Sequence, residues 1–76
     1  MTVHDFIGLS MTMQAEAVWS GNYIASREEE GHRISLYKLN SFFVEVYYNR
    51  KHNRIVKIKP LTIPGRLRAY FDSILN

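Results

Sequence analysis

Apolar residues near the amino terminus recur at the spacing of one helix face. The positions are Met11, Ala15, Val18 and Trp19. They stand at i, i+4, i+7 and i+8 and follow Ser10, a residue type that caps helix amino termini. The pattern predicts an amphipathic helix of about three turns. We expect Gly21 to end it in a left-handed conformation.

The pattern changes after Gly21 to segments rich in β-branched and aromatic residues. Three turn signals separate these segments: Glu29-Glu30-Gly31, Asn40-Ser41 and the polar stretch 49–53. Residues 22–60 are therefore predicted to form four strands joined by short turns. Such connections give an antiparallel meander.

The register of the predicted strands follows from the lengths assigned to the turns. We assign three-residue loops to the first two turns, with Gly31 and Ser41 left-handed, and a five-residue loop to the third. These lengths place even-numbered residues on one apolar face, a pattern that a one-residue slip would destroy. That predicted face includes Ile24, Ile34, Leu36, Val44, Val46, Val56 and Ile58.

A second helical pattern follows the last predicted strand. Pro60 is expected to end that strand, and Pro64 is tolerated in the first turn of a helix that begins at Thr62 or Ile63. Its apolar stripe consists of Leu67, Tyr70, Phe71, Ile74 and Leu75. The chain is thus predicted to be one α+β domain, residues 1–76, of order αββββα. We expect both helices to cover the even-numbered face.

Composition narrows the functional classes. A chain of 76 residues has a thin core, and the absence of cysteine excludes disulfides and thiol chemistry. No apolar run approaches the ~20 residues that cross a bilayer, and the first residues lack a basic, then apolar, export signal. We therefore expect an unexported cytoplasmic protein.

The odd-numbered face of the predicted sheet carries the main functional hypothesis. Its aromatic and basic members are Tyr23, Arg27, Arg33, Tyr37, Phe43, Tyr47, Lys57 and Lys59. Tyr, Phe and Arg are enriched in protein interfaces, so this face predicts a small protein-binding or self-associating module. The alternative is weak binding of single-stranded nucleic acid, with bases stacked on the rings and phosphates near the basic stretch 50–59. Strand propensity and edge protection by lysine also account for the same residues without a ligand.

Charge is distributed unevenly along the chain. The net charge is +3, but residues 1–49 carry about −3 and residues 50–76 about +6. A weaker anion site is predicted from Arg50, Lys51, His52, Arg66 and Arg68. A solvated hairpin tip explains the first three equally well.

The sequence contains no catalytic constellation that we recognise. The histidines, His4, His32 and His52, stand in separate segments without the i, i+4 pairing or the carboxylate partner of metal and acid–base sites. No nucleophile elbow, P-loop or dinucleotide fingerprint occurs. We expect a protein that is not an enzyme and has no metal site, cofactor or membrane partner.

The segment from Leu36 to Asn49, LYKLNSFFVEVYYN, followed by Asn53-Arg54-Ile55-Val56, resembles small uncharacterised bacterial proteins. The resemblance extends from His4-Asp5-Phe6 to the last predicted helix. It implies a bacterial origin and a small protein that stands alone. It implies no activity and transfers no functional residues, and Asn40-Ser41 replaces the Asp-Gly type of turn expected there.

Overall fold

Residues 1–61 form two short helices followed by a four-stranded antiparallel sheet. The computed structural model describes residues 1–61, and the predicted last helix lies outside them. The elements are α1 (Val3–Ile7), α2 (Met11–Trp19), β1 (Asn22–Glu29), β2 (His32–Leu39), β3 (Phe42–Asn49) and β4 (Arg54–Leu61). The sheet order β1-β2-β3-β4 confirms the predicted meander.

Helix α1 was not predicted, and its first turn is stabilised by a capping box. The Asp5 backbone N–H donates to the Thr2 hydroxyl, while the Thr2 backbone N–H donates to the Asp5 carboxylate. This backbone N–H lowers the pKa of Asp5 below its usual range. The helix carries Phe6 into the core, where the side chain is fully buried.

Helix α2 begins as predicted, with Met13 N–H donating to the Ser10 hydroxyl. Of the predicted stripe, only Ala15 and Val18 are buried, whereas Met11 and Trp19 remain largely exposed. The Gln14 side-chain amide donates to the Phe6 carbonyl at 3.0 Å and ties the two helices together.

The predicted left-handed conformation of Gly21 is wrong. Among the described residues, positive φ angles occur only at Glu30, Gly31, Asn40 and Asn53. Gly21 is required for a different reason: a Cβ added there would lie 2.7 Å from the Lys38 carbonyl oxygen. Glycine therefore permits the chain to pass close to the end of β2.

The predicted loop lengths are wrong. Glu29 pairs with His32, and Leu39 pairs with Phe42, so each of the first two loops has two residues instead of three. Glu30 and Gly31 both have positive φ, which is typical of a type I′ turn; at the second turn Asn40 has positive φ and Ser41 does not. The third loop has four residues because Asn49 pairs with Arg54.

The shorter loops redistribute side chains between the two faces, so the prediction of a common even-numbered face is wrong. Residues directly opposite each other point to the same side, and even residues of β2 pair with odd residues of β3. We call one face the helix side, which contains Tyr37, Leu39, Phe42, Val44, Val46 and Tyr48. The opposite face is the second side, which contains Ile34, Leu36, Phe43, Glu45 and Tyr47. Irregularities between Tyr23 and Ala25, and again in the pairing of β4, shift the register further.

Both sides of the sheet are buried in part. On the helix side, Phe6 and Val18 pack with Leu39, Phe42, Val44 and Val46. The Phe6 and Phe42 rings meet edge to face, with centroids 5.6 Å apart. On the second side, Ile34 and Leu36 cluster with Leu61 and are only 1% and 2% exposed.

Strand β4 continues beyond Pro60, contrary to the prediction that this residue ends it. Pro60 pairs with Val44, and the strand extends to Leu61. Because β4 is an edge strand, a residue without an N–H is tolerated within it. Within residues 1–61, no helix is long and apolar enough to cross a lipid bilayer.

Candidate functional site

The predicted interaction face is divided between the two sides of the sheet. The helix side holds Tyr23, Arg33 and Tyr37, because Tyr23 pairs with Tyr37 and Arg33 pairs with Tyr48. The second side holds Arg27, Phe43, Tyr47, Lys57 and Lys59, since these residues pair with or lie beside Ile34 and Glu45. The eight residues therefore do not form one surface.

The second side is packed over much of its area, although a depression of about 360 Å³ opens beside Ile34, Tyr47 and Lys57. Ile34, Leu36 and Glu45 are buried, and Phe43 and Tyr47 are half-buried. Arg27 reaches Glu45 with its Nη2 atom 3.2 Å from Oε2 and also pairs with Glu29. The Lys57 ammonium lies 5.2 Å from the centroid of the Tyr47 ring, a cation–π geometry.

The predicted anion site is only partly described. Arg50, Lys51 and His52 occupy the exposed β3–β4 loop, whereas Arg66 and Arg68 lie outside the described residues. Arg50 forms an ion pair with Glu28, Nη1 to Oε1 3.3 Å. The Asn49 side-chain oxygen accepts from the His52 backbone N–H and orders the loop.

The histidines do not come together. His32 is the first residue of β2 and lies beside Asn49, with its Nε2 3.5 Å from the Asn49 side-chain nitrogen. His4 belongs to α1 and His52 to the β3–β4 loop. In the part of the chain that the structure describes, no three His, Asp or Glu residues could hold a metal ion.

The helix side contains an open groove that the sequence did not predict. α2 covers only part of this side, and beyond its end the sheet remains accessible. We call this depression the aromatic groove. It has a volume of about 280 Å³ and is lined by Trp19, Arg33, Tyr37, Val46, Tyr48 and Ile55. Trp19, the last residue of α2, is 65% exposed.

A hydrogen-bonded row of hydroxyls borders the aromatic groove on β1 and β2. The Tyr23 hydroxyl lies 2.8 Å from the Ser26 hydroxyl, which lies 2.8 Å from that of Ser35, a residue that also lines the groove. The Tyr23 and Tyr37 rings meet edge to face at 5.6 Å. These contacts hold the tyrosines in place and extend the aromatic surface to β1.

On its other flank, Trp19 borders a second apolar depression. This one is lined by Met11, Ala15, Trp19 and Ile55, together with Thr12 and Glu16 of α2, and has a volume of about 290 Å³. Trp19 and Ile55 belong to both depressions. The exposed apolar surface is therefore continuous along the open edge of α2.

One cationic side chain, Arg33, lines the aromatic groove. Glu28 lies directly opposite it on β1, but the Glu28 carboxylate pairs with Arg50. Among the described residues, no carboxylate lies within ion-pair distance of the Arg33 guanidinium. Arg33 is exposed, and its guanidinium carries five N–H donors.

Sequence reasoning places three residues of the groove elsewhere: Trp19, Val46 and Tyr48. Trp19 was assigned to the buried stripe because its helical spacing suits a core position. Tyr48 was assigned to the covered face by the one-residue error in register. A two-residue Asn40-Ser41 turn is the available signal, since it moves Arg33 and Tyr37 to the side of Tyr48.

The chain matches no protein-family model, no curated protein and no solved structure. The surface that bears on function is therefore the aromatic groove.

Proposed function

We propose that this protein is a non-catalytic module that binds another protein through the aromatic groove. The observation that supports the proposal is Trp19, which is 65% exposed beside Tyr37, Tyr48 and Arg33. Trp, Tyr and Arg are the residues that contribute most binding energy in protein interfaces. Water contact with so large an aromatic surface is unfavourable, so a ligand that covers it gains hydrophobic free energy.

The packing of the second side supports this choice of surface. A binding face must expose its side chains, whereas Ile34, Leu36 and Glu45 are buried. The proposed surface therefore retains Arg33 and Tyr37 from the predicted face, with Tyr23 at its border. Trp19, Tyr48 and Ile55 complete it.

The charges near the groove favour a protein ligand over single-stranded nucleic acid. A nucleic-acid site needs several cations along the path of the phosphates. Among residues 1–61, Arg33 is the one basic side chain that lines the groove, and Lys57 and Lys59 lie on the second side. The predicted combination of aromatic rings with the basic stretch 50–59 is thus not assembled on one surface.

Trp19→Ala tests the proposal, because alanine keeps the helix propensity of α2 while removing the ring. Random decapeptides displayed on phage are selected on the wild type, and the best binders are measured in solution. We expect Trp19→Ala to weaken them by at least about 2 kcal/mol, or roughly thirtyfold. Met13→Ala is the matched control, since Met13 is an exposed α2 residue that does not line the groove.

A second copy of the chain is one protein that the groove could bind, so sedimentation velocity at increasing concentration accompanies the selection. Dimers that Trp19→Ala dissociates and Met13→Ala preserves would identify a second copy as the ligand. If the protein stays monomeric and no selected peptide distinguishes Trp19→Ala from Met13→Ala, the proposed function is wrong.

A further inference from the structure

The dimensions of the aromatic groove suit a short extended segment better than a folded surface. A standard interface buries about 800 Å² on each partner, whereas this groove crosses one part of one small sheet. From Tyr23 on β1 to Ile55 on β4 the surface spans three strand intervals, or about 14 Å. Four to five residues of a polyproline II helix, at about 3.1 Å per residue, cover that distance.

The hydrogen-bonding groups of the groove are mainly donors. The indole N–H of Trp19 can only donate, the guanidinium of Arg33 can only donate, and the Tyr37 hydroxyl can donate or accept. No described residue accepts a hydrogen bond from the Trp19 indole. The Tyr48 hydroxyl, by contrast, already bonds to the Asn53 side-chain oxygen. A ligand rich in acceptors and poor in donors is complementary to this set.

A proline-rich segment has that composition. Its carbonyl groups are free because the polyproline II helix has no internal hydrogen bonds, and each proline lacks an N–H. Its flat rings pack against aromatic side chains, and its backbone loses little entropy on binding because it is already extended. The single cation, Arg33, adds a preference for an acidic residue next to the prolines.

We propose that the aromatic groove binds an extended proline-rich segment of another protein, with an acidic residue of that segment at Arg33. The inference rests on the proposed function and specifies its partner. The chain itself contains two prolines, and Pro60 is engaged in β4, so a second folded copy does not supply such a segment.

The protein carries its own probe for this ligand. Trp19 is its single tryptophan, and a ligand that covers the indole shifts its emission to shorter wavelength. The titrants are two capped decapeptides, each with a four-proline core. One carries an aspartate directly before the core, and the other carries it directly after the core. We expect at least one of the two to bind saturably. The same peptide with the prolines replaced by alanine should bind at least about tenfold more weakly, a difference of about 1.4 kcal/mol.

Charge reversal locates the acidic residue of the ligand. Arg33→Glu should weaken binding of the aspartate peptide about threefold, because an exposed ion pair contributes up to about 1 kcal/mol. The same variant should strengthen binding of a peptide in which lysine replaces the aspartate. Lys51→Glu, which makes the same charge change in the β3–β4 loop, should leave both affinities unchanged. Far-UV circular dichroism confirms that each variant is folded.

Each outcome bears on one of the two proposals. Equal binding of the alanine and proline peptides, lost in Trp19→Ala when isothermal titration calorimetry replaces indole emission, would refute the proline-rich ligand and leave the proposed function intact. If neither proline peptide binds, but peptides selected by phage display bind in a Trp19-dependent way, the proline-rich ligand is likewise refuted and the proposed function stands. Emission shifts with an oligothymidylate of ten nucleotides, and not with any peptide, would overturn both.

Discussion

At the scale of single residues, Gly21 shows that a glycine can be required for space alone. It does not have the positive φ that its position after a helix predicts. A Cβ at this position would lie 2.5 Å from Leu39 Cδ2 and 3.2 Å from the Val18 carbonyl oxygen. The side chain of Leu39 belongs to the core, so it cannot move freely to make room.

Gly21→Ala is therefore expected to destabilise the fold by about 1–3 kcal/mol, the usual cost of overpacking. Urea unfolding monitored by circular dichroism measures the change. Gly8→Ala is the control, because a Cβ there meets its nearest atom, the Asp5 carbonyl oxygen, at an ordinary 3.6 Å. A Gly21→Ala protein as stable as Gly8→Ala would refute the requirement for space.

Trp19 is a second residue whose role the sequence does not decide. Helical spacing aligned it with Ala15 and Val18, but spacing does not specify how wide a strip of the helix is covered. In the structure the covered strip of α2 contains Ala15 and Val18, and Trp19 extends beyond it over the open sheet. The groove lies where α2 leaves Tyr37 and Tyr48 uncovered, with Trp19 at its border.

At the scale of elements, the turns determine which residues share a face. A two-residue loop replaces the expected three-residue loop at both of the first two hairpins, and each change moves the register by one residue. Because side chains alternate, one residue is enough to transfer a strand's apolar set to the opposite side. The first turn closes in two residues because Glu30, at φ 47°, and Gly31, at φ 79°, are both left-handed.

Glu30 is a poor residue for its conformation, and asparagine is a good one. We expect Glu30→Asn to stabilise the protein by about 0.5–1 kcal/mol, since it relieves the left-handed strain and completes an Asn-Gly turn. The midpoint of urea unfolding should rise with an unchanged slope. Lys51→Asn places the same residue in a loop position without positive φ and should give no gain. A lower midpoint for Glu30→Asn would contradict the assigned turn.

At the scale of the whole molecule, the sheet is packed on two sides. Phe6 and Val18 cover the helix side near Phe42 and Val44, and Ile34 and Leu36 are buried on the opposite side. The prediction of one covered face and one open face assigned Ile34 to the core correctly. It was wrong about which residues accompany it, since Val44 belongs to the other side.

Truncation of Ile34 tests the second side directly. Ile34→Ala is expected to cost about 2–5 kcal/mol of unfolding free energy, because the lost side chain is buried and leaves a cavity. Ile7→Ala removes the same atoms from a side chain that is 59% exposed and should change stability by no more than about 0.5 kcal/mol. If the two variants unfold at the same urea concentration, the second side is not a packed surface.

Features that depend on local chemistry follow from the residue types in the chain. Ser10 predicted the start of α2 because its hydroxyl accepts from the first turn. The positions of Gly31 and Asn40 predicted the first two hairpins because these residue types tolerate positive φ. The short connections then required a meander, since neighbouring strands joined by tight turns must be antiparallel.

Which surface is buried and which is open depends on tertiary contacts. Loop lengths that differ by one residue are nearly equivalent in the sequence pattern, yet they reverse the side on which Val44 and Val46 lie relative to Ile34 and Leu36. The position at which α2 ends over the sheet decides that Trp19 stays exposed beside Tyr48. Both depend on contacts between residues far apart in the chain, which periodicity along the chain does not encode.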